Sequence, residues 1–381
     1  MKKVVSSLPW EVVEEILSWL PVKSLIRFRC VCKSWNSLVS DPNFVKMHLH
    51  KRSLRNLQFT YGRFIDQRKH LSVCTLLENP SSIIPIPTNH QQRQWQVSDI
   101  VIGCCNGLVC LLSQRCNLND SRSDLITNLF NVQFWNPATR TISQKSPFMR
   151  ATTYNVGFGY DASRDTYKAV VGIFRKQSTF NPKGRDIQLI TGYSIGDNCW
   201  RDILEFPRDV TMLSNNGVYV SGTLNWIAQQ NMNYISSKMV IVSFHMQNET
   251  CTQLSPPYDC YDDAELAVLG NCLCIYKYYK RKADFVLWQM KESWNRLINV
   301  RFEWLQPTSY WLRPSMVFPL HIFENGDVFM LFVRCHCDAQ AILYKHKDNT
   351  FKRFALPRDA SVCGGNPITC YAESLVSPQS S

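Results

Sequence analysis

The chain has 381 residues, of which 45% are hydrophobic and 19% charged, an ordinary balance for a globular protein with room for one large core or two domains. No apolar stretch approaches the ~20 residues a membrane helix needs, and Lys2 and Lys3 are followed by acidic residues rather than an apolar signal core, so neither a secretory nor a transit segment is expected. The formal charge of +12 is uneven, with thirteen Lys/Arg against five Asp/Glu in residues 1–70. At the start of the chain, Pro9 suits the first helical position, where its missing N–H has no partner anyway. Val12, Val13, Ile16, Leu17 and Leu20 then recur at helical spacing. Glu11, Glu14 and Glu15 fall where the helix dipole favours anions. Pro21 ends this helix, and Ser24 is the expected cap of a second one carrying Leu25 and Phe28. A third has Trp35, Leu38 and Val39 as its apolar positions, and Asp41-Pro42 opens a fourth with Phe44, Val45 and Leu49.

Helices of two or three turns are marginal alone, and a fifty-residue unit buries too small a share of its surface to be robust. Its apolar face therefore needs a cover, either the rest of the chain or a partner. The run from Leu8-Pro9 through Leu20-Pro21-Val22-Lys23-Ser24-Leu25 and Arg27-Phe28-Arg29-Cys30-Val31-Cys32-Lys33-Ser34-Trp35 to Phe44 resembles an F-box. That motif docks substrate receptors onto the Skp adaptor of SCF-type cullin–RING ubiquitin ligases. The resemblance implies adaptor contacts at Leu8, Pro9, Ile16, Leu17, Leu20, Pro21, Val22 and Leu25, with Val31, Lys33 and Trp35 matching its later part. A large ring such as Trp35 also serves as core in so small a unit. The basic excess of the first seventy residues complements an acidic partner protein; nucleic acid is the less favoured partner.

From about residue 55 the helical period gives way to short β-branched and aromatic runs. Asn106-Gly107, Asn216-Gly217 and Asn325-Gly326 are hairpin signals. Turn glycines followed by alternating apolar residues recur at Gly107, Gly222, Gly270 and Gly326. A second element, strand, polar turn and strand, starts at positions 134, 193, 244, 287 and 344. Repeats of ~40–50 residues, each worth about four strands, are the signature of a β-propeller. Five units are visible; residues 55–100 are expected to supply a sixth, with the strand near Tyr371 closing the ring. The alternative is a β-sandwich. Cys105-Asn106-Gly107-Leu108-Val109-Cys110, Trp135-Asn136-Pro137-Ala138-Thr139-Arg140, Gly157-Phe158-Gly159-Tyr160-Asp161, Gly222-Thr223-Leu224-Asn225-Trp226 and Tyr371-Ala372-Glu373-Ser374-Leu375-Val376 resemble the F-box-associated domain of plant F-box proteins, including the kelch-like and S-locus F-box-like groups. These motifs are read as specifying fold rather than target: Asn-Pro suits a turn and tryptophans suit blade cores. The expected organisation is an F-box over 1–50, a β-propeller over 51–376 and a disordered tail over 377–381.

Of the sixteen cysteines, Cys30/Cys32, Cys272/Cys274 and Cys335/Cys337 sit two apart. On a strand that spacing shares a face, and Cys335-His336-Cys337 is the best candidate for zinc. Reduced, buried packing is the preferred reading, because no pair has the Cys-x-x-Cys spacing of common zinc modules. No Gly-x-Ser-x-Gly elbow, phosphate loop or His-Glu-x-x-His is present, though Ser221-Gly222 invites a look. Gln114 to Asn128, Lys176 to Asp186 and the acidic patch Asp259 to Asp263 are candidates for target contact. The resemblance implies a non-catalytic, cofactor-free receptor that holds a target protein for ubiquitination in the cytoplasm or nucleus, its partners being the Skp adaptor and, through it, cullin and RING subunits. A carbohydrate- or small-ligand-binding propeller is the alternative, suggested by the aromatic content.

Overall fold

The structure is a computed structural model that describes residues 8–52, 57–61, 69–72, 99–116, 128–151, 154–175, 187–206, 209–231, 237–258, 263–280, 282–302, 316–334, 338–355 and 369–379. Four helices come first: α1 (Trp10–Ser18), α2 (Val22–Phe28), α3 (Lys33–Ser40) and α4 (Pro42–Arg52). Pro9 stands just outside α1, and its carbonyl oxygen accepts the first helical bonds from the Val12 and Val13 N–H groups. Pro21 does the same for α2, taking the Ser24 and Leu25 N–H groups. Ser24 is therefore inside α2 and not its cap, because proline's extended φ and ψ already place the carbonyl. Asp41 does cap α4: its Oδ1 accepts from the Asn43 and Phe44 N–H groups at 2.8 and 3.2 Å. Leu17, Leu25, Val39 and Phe44 form the small core of these helices.

The strands follow. β1 (Leu57–Tyr61) pairs with β2 (Lys69–Ser72). The second sheet runs β3 (Asp99–Cys105), β4 (Leu108–Cys116), β5 (Asn128–Asn136) and β6 (Thr141–Ile142), with β7 (Met149–Ala151) also on β5. The third runs β8 (Tyr154–Asp161), β9 (Thr166–Arg175), β10 (Ile187–Ser194) and β11 (Arg201–Glu205). In the fourth, β12 (Val210–Met212) and β13 (Val218–Val220) both pair with β14 (Thr223–Asn231), followed by β15 (Ser237–His245) and β16 (Thr250–Leu254). The fifth holds β17 (Glu265–Leu269), β18 (Cys272–Tyr279), β19 (Asp284–Met290) and β20 (Trp294–Arg301). The sixth holds β21 (Met316–Ile322), β22 (Val328–Arg334), β23 (Asp338–Lys345) and β24 (Thr350–Ala355). Last, β25 (Thr369–Ala372) pairs antiparallel with β1 and joins the first sheet.

Among the described residues, five blades of four or five antiparallel strands thus accompany one three-stranded sheet that unites β1 and β2 with β25. One edge strand of each sheet neighbours that of the next, in the order β25, β3, β8, β13, β17, β21. This is a propeller and not a β-sandwich, as its core shows. Leu108, Cys110 and Leu112 of β4 face the third sheet, while Val109 and Leu111 face the other way. Ala169 and Val171 of β9 point back to the second sheet, and Val170 joins the fourth. A sheet buried on both faces must be apolar at successive positions, and each fully buried Phe or Leu contributes roughly 1.5–3 kcal/mol. The repeat starts at 134, 193, 244, 287 and 344 all fall on the third strand of a sheet.

Hairpin turns follow the sequence signals with one exception. Asn106-Gly107 has φ of 51° and 81°, the left-handed pair that a two-residue hairpin needs. Asn216-Gly217 is not a hairpin. The chain passes from β12 to β13 along the same neighbour, and the Gly217 N–H donates to the Val156 carbonyl oxygen at 2.6 Å. The turn itself is Ser221-Gly222, with φ of 47° and 81°. Gly217 is small for another reason: a Cβ there would lie 2.4 Å from the buried Trp226 ring.

Candidate docking surfaces

The tight turns after β3, β5, β8 and β10 share one end of the sheets, and the helical unit sits there. Lys46 of α4 pairs at 2.7 Å with Asp165, in the turn between β8 and β9. Val45 packs onto the core between the second and third sheets. The strand ends flanking residues 117–127 and 176–186, namely Cys116, Asn128, Arg175 and Ile187, lie at the other end. Those two stretches, along with 259–262, lie outside the described residues.

Ten large apolar side chains stay exposed among the described residues. Six belong to the helical unit: Leu8, Trp10, Val12, Ile16, Trp19 and Val31. The others are Phe148, Leu213, Tyr258 and Met316. Met316 opens β21 at the end away from the turns, Tyr258 follows β16, and Phe148 and Leu213 adjoin β7 and β12, which pair with the far halves of β5 and β14.

Helix α1 explains the first group. Val13, Leu17 and Leu20 face the small core, whereas Val12, Ile16 and Trp19, spaced i, i+4 and i+7, form a second apolar stripe that stays exposed. Leu8 and Trp10, at the head of the helix, are exposed as well, Leu8 to 62%, though Trp10 stands on the Val13–Leu17 side of α1. The Glu15 carboxylate accepts from the Trp19 indole at 2.9 Å and from Lys51 of α4. These two donors, Lys51 first, hold the Glu15 carboxyl below its ordinary value. The Lys51 ammonium also lies 5.3 Å from the Trp19 ring centroid, so the stripe is braced from α4.

Leu8, Pro9, Ile16, Pro21, Val31 and Lys33 are exposed. Leu17, Val22 and Leu25 are buried within the helical unit, and Leu20 and Trp35 are half-buried against the same core. Trp35 meets Phe28 edge-on at 5.3 Å. Trp10, Val12 and Trp19 were absent from the sequence-based set. Their signal was the offset of Val12 from Val13 and of Ile16 from Leu17, which doubles the apolar stripe.

The thiols divide in the same way. Cys105, Cys110 and Cys274 are buried, and burial pushes the Cys104 and Cys274 thiols up to about 12. Cys30 and Cys32 are exposed where α2 passes to α3, so their spacing does not share a strand face. Cys335-His336-Cys337 lies outside the described residues. Ser221 stands at a hairpin tip. Among the described residues no helix is long and apolar enough to cross a membrane.

Comparison with known proteins agrees with this geometry. The model of the F-box domain matches residues 5–47, and that of the F-box associated beta propeller domain matches residues 64–378. The chain belongs to the F-box proteins that carry an F-box-associated β-propeller. It is similar to the Arabidopsis thaliana F-box/kelch-repeat protein At3g23880, 29% identical over 98% of this chain and 96% of that one. It is also similar to the Arabidopsis F-box/LRR-repeat/kelch-repeat protein At2g27520, 24% identical over 97% of each chain. Among solved structures, the Trypanosoma rangeli sialidase matches at 10% identity and a TM-score of 0.42, covering 71% of this chain and 49% of that one, a likeness too low to carry an argument.

Proposed function

We propose that this protein is the target-binding subunit of an SCF-type ubiquitin ligase, with no catalytic centre of its own. The observation that carries the reading is the exposed stripe of Val12, Ile16 and Trp19, with Leu8 and Trp10 exposed at the head of the same helix, on a helical unit whose family docks onto a Skp-type adaptor. Leu17, Val22 and Leu25 support that stripe from beneath, and Pro9 and Pro21 set where the helices begin. Exposed apolar patches of this kind mark partner surfaces. The second group of exposed apolar residues, on the propeller away from the helices, is the proposed target side. Holding a target's lysines near a charged ubiquitin-carrying enzyme raises their effective concentration, and the bond-making belongs to other subunits. The sugar-binding alternative drew on aromatic content, but Trp135, Trp226 and Trp288 are buried between sheets.

The test is co-expression with a Skp-type adaptor, followed by pull-down and size-exclusion chromatography. A stoichiometric complex is expected for the wild-type chain. Val12→Asp with Ile16→Asp should abolish it while leaving the β-sheet circular dichroism and melting temperature of the propeller unchanged. Wild-type adaptor capture by that double variant would overturn the reading.

A further inference from the structure

The segment after β25 threads between the helical unit and the propeller, and its successive side chains serve different bodies. Leu375 packs into the core of the helices beside Leu17, Leu25 and Phe44. Val376 belongs to the core between the second and third sheets. Ser374 is fully buried, and its Oγ accepts from the Val376 N–H at 3.3 Å.

One side chain of the propeller grips this segment on both sides of Leu375. Asn136, 0% exposed at the end of β5, donates from Nδ2 to the carbonyl oxygens of Ser374 and Val376 at 3.0 and 2.7 Å. Its Oδ1 accepts from the Ala138 and Thr139 N–H groups at 2.9 and 3.2 Å. Both amide protons and the carbonyl oxygen are thus used, which neither Asp nor Ala can reproduce. Gly107 leaves room for the passage. A Cβ there would stand 2.3 Å from Ser374 Oγ and 2.7 Å from the Ala372 carbonyl oxygen. A second contact lies alongside, where Asp165 accepts from Lys46 and from the Tyr160 hydroxyl, with Val45 packed on the same propeller core.

From this geometry we infer that residues 374–376, Asn136 and Gly107 form a joint that fixes the direction of the helical docking unit relative to the propeller. Asn136 and Leu375 are positioning residues. Three motifs that the sequence presents as separate signals, around Gly107, Asn136 and Ser374, are parts of this one joint. Its importance to ligase geometry rests on the function proposed above, but the joint itself does not. A receptor whose two binding ends are held at one angle presents its target to the enzyme from one direction, whereas a swivelling one averages over many.

Zero-length carbodiimide cross-linking of the full chain, read by mass spectrometry, tests the joint. In the wild-type chain two links are expected: Lys46 to Asp165, between the two bodies, and Lys51 to Glu15, within the helices. Leu375→Asp should lower the first link several-fold and leave the second, with the propeller's melting transition retained. Leu375→Ala and Asn136→Ser are milder variants for which the same ratio decides, and Leu375→Met should restore it. An undiminished Lys46–Asp165 link in both milder variants would overturn the inference. Adaptor pull-down separates the two readings. Leu375→Ala should still capture the adaptor, and failure of the wild-type chain to capture it would refute the docking role while leaving the cross-linking ratio to judge the joint.

Discussion

Lys168, with 1% of its side chain exposed, lies between two carboxylates contributed by neighbouring sheets. Its ammonium donates at 2.9 Å to Asp161, itself 1% exposed, and at 2.9 Å to Glu249. Arg201 closes the group from outside by pairing with the same Glu249. Glu249 reaches inward because its φ of 57° turns the β15–β16 connection back on itself. Burial alone would raise the Asp161 carboxyl, but the hydrogen bonds from Lys168 and Ser163 outweigh it and hold it below 3.8. Glu249 is held below 4.5 in the same way by Arg201 and Lys168. Lowered carboxyls contribute stability that is present above their ordinary values and is lost as pH falls through the folded ones. The melting temperature, followed from pH 7 to pH 2, should therefore drop below about pH 4. Lys168→Met should cost about 3–5 kcal/mol in urea denaturation at pH 7, because it strands a buried Asp161, and should flatten the acid limb of the melting curve. None of this was legible in the sequence. Lys168 sits in the run Tyr167 to Val171 like any strand lysine; Asp161 lies across the β8–β9 hairpin seven residues away, and Glu249 is 81 residues away on the next sheet. Asn136 fared better, since Asn-Pro announced a turn, but the partner of its amide group was hidden for the same reason.

At the scale of single elements, α1 separates stability from binding. Leu17→Ala should destabilise the helical unit by roughly 2–5 kcal/mol, seen as earlier loss of helical circular dichroism. Ile16→Ala, on the exposed stripe, should stay within about 0.5 kcal/mol and weaken adaptor capture. Equal destabilisation by the two would show that the stripe is covered in solution. The helical period made α1 visible, yet it could not divide its apolar residues between an inward and an outward stripe, because that depends on where α3 and α4 pack. The hairpins show the same limit. Gly107, Gly222, Gly270 and Gly326 marked the first turns of four sheets, whereas the third sheet turns through Ala162 to Asp165 with no glycine and gave no signal. Asn216-Gly217 had turn chemistry, but its glycine answers to the Trp226 ring on the neighbouring strand β14, a contact that the dipeptide itself does not record.

For the whole molecule, the decisive pairing is β1 with β25, in which Leu57 faces Ala372 and Thr60 faces Thr369. A ~50-residue repeat was readable because each blade is local, and the closing strand near Tyr371 was expected from the same count. The fixed attitude of the helices on the turn end was not, since it depends on residues more than two hundred positions apart, as in the bond from Asn136 to Ser374. A chain cut before Thr369 should lose the closing strand and the joint together. It should melt at a lower temperature over a broader range and become sensitive to protease in its first sheet; a wild-type melt would show that closure adds nothing. Contacts this distant also impose an order on synthesis. While the ribosome is still adding blades, β1 has no partner from β25, and the helices lack the Leu375 side chain that completes their small core. During that interval the helices expose still more apolar surface, so early engagement of a chaperone or of the adaptor itself would guard the chain against aggregation until its last strand arrives.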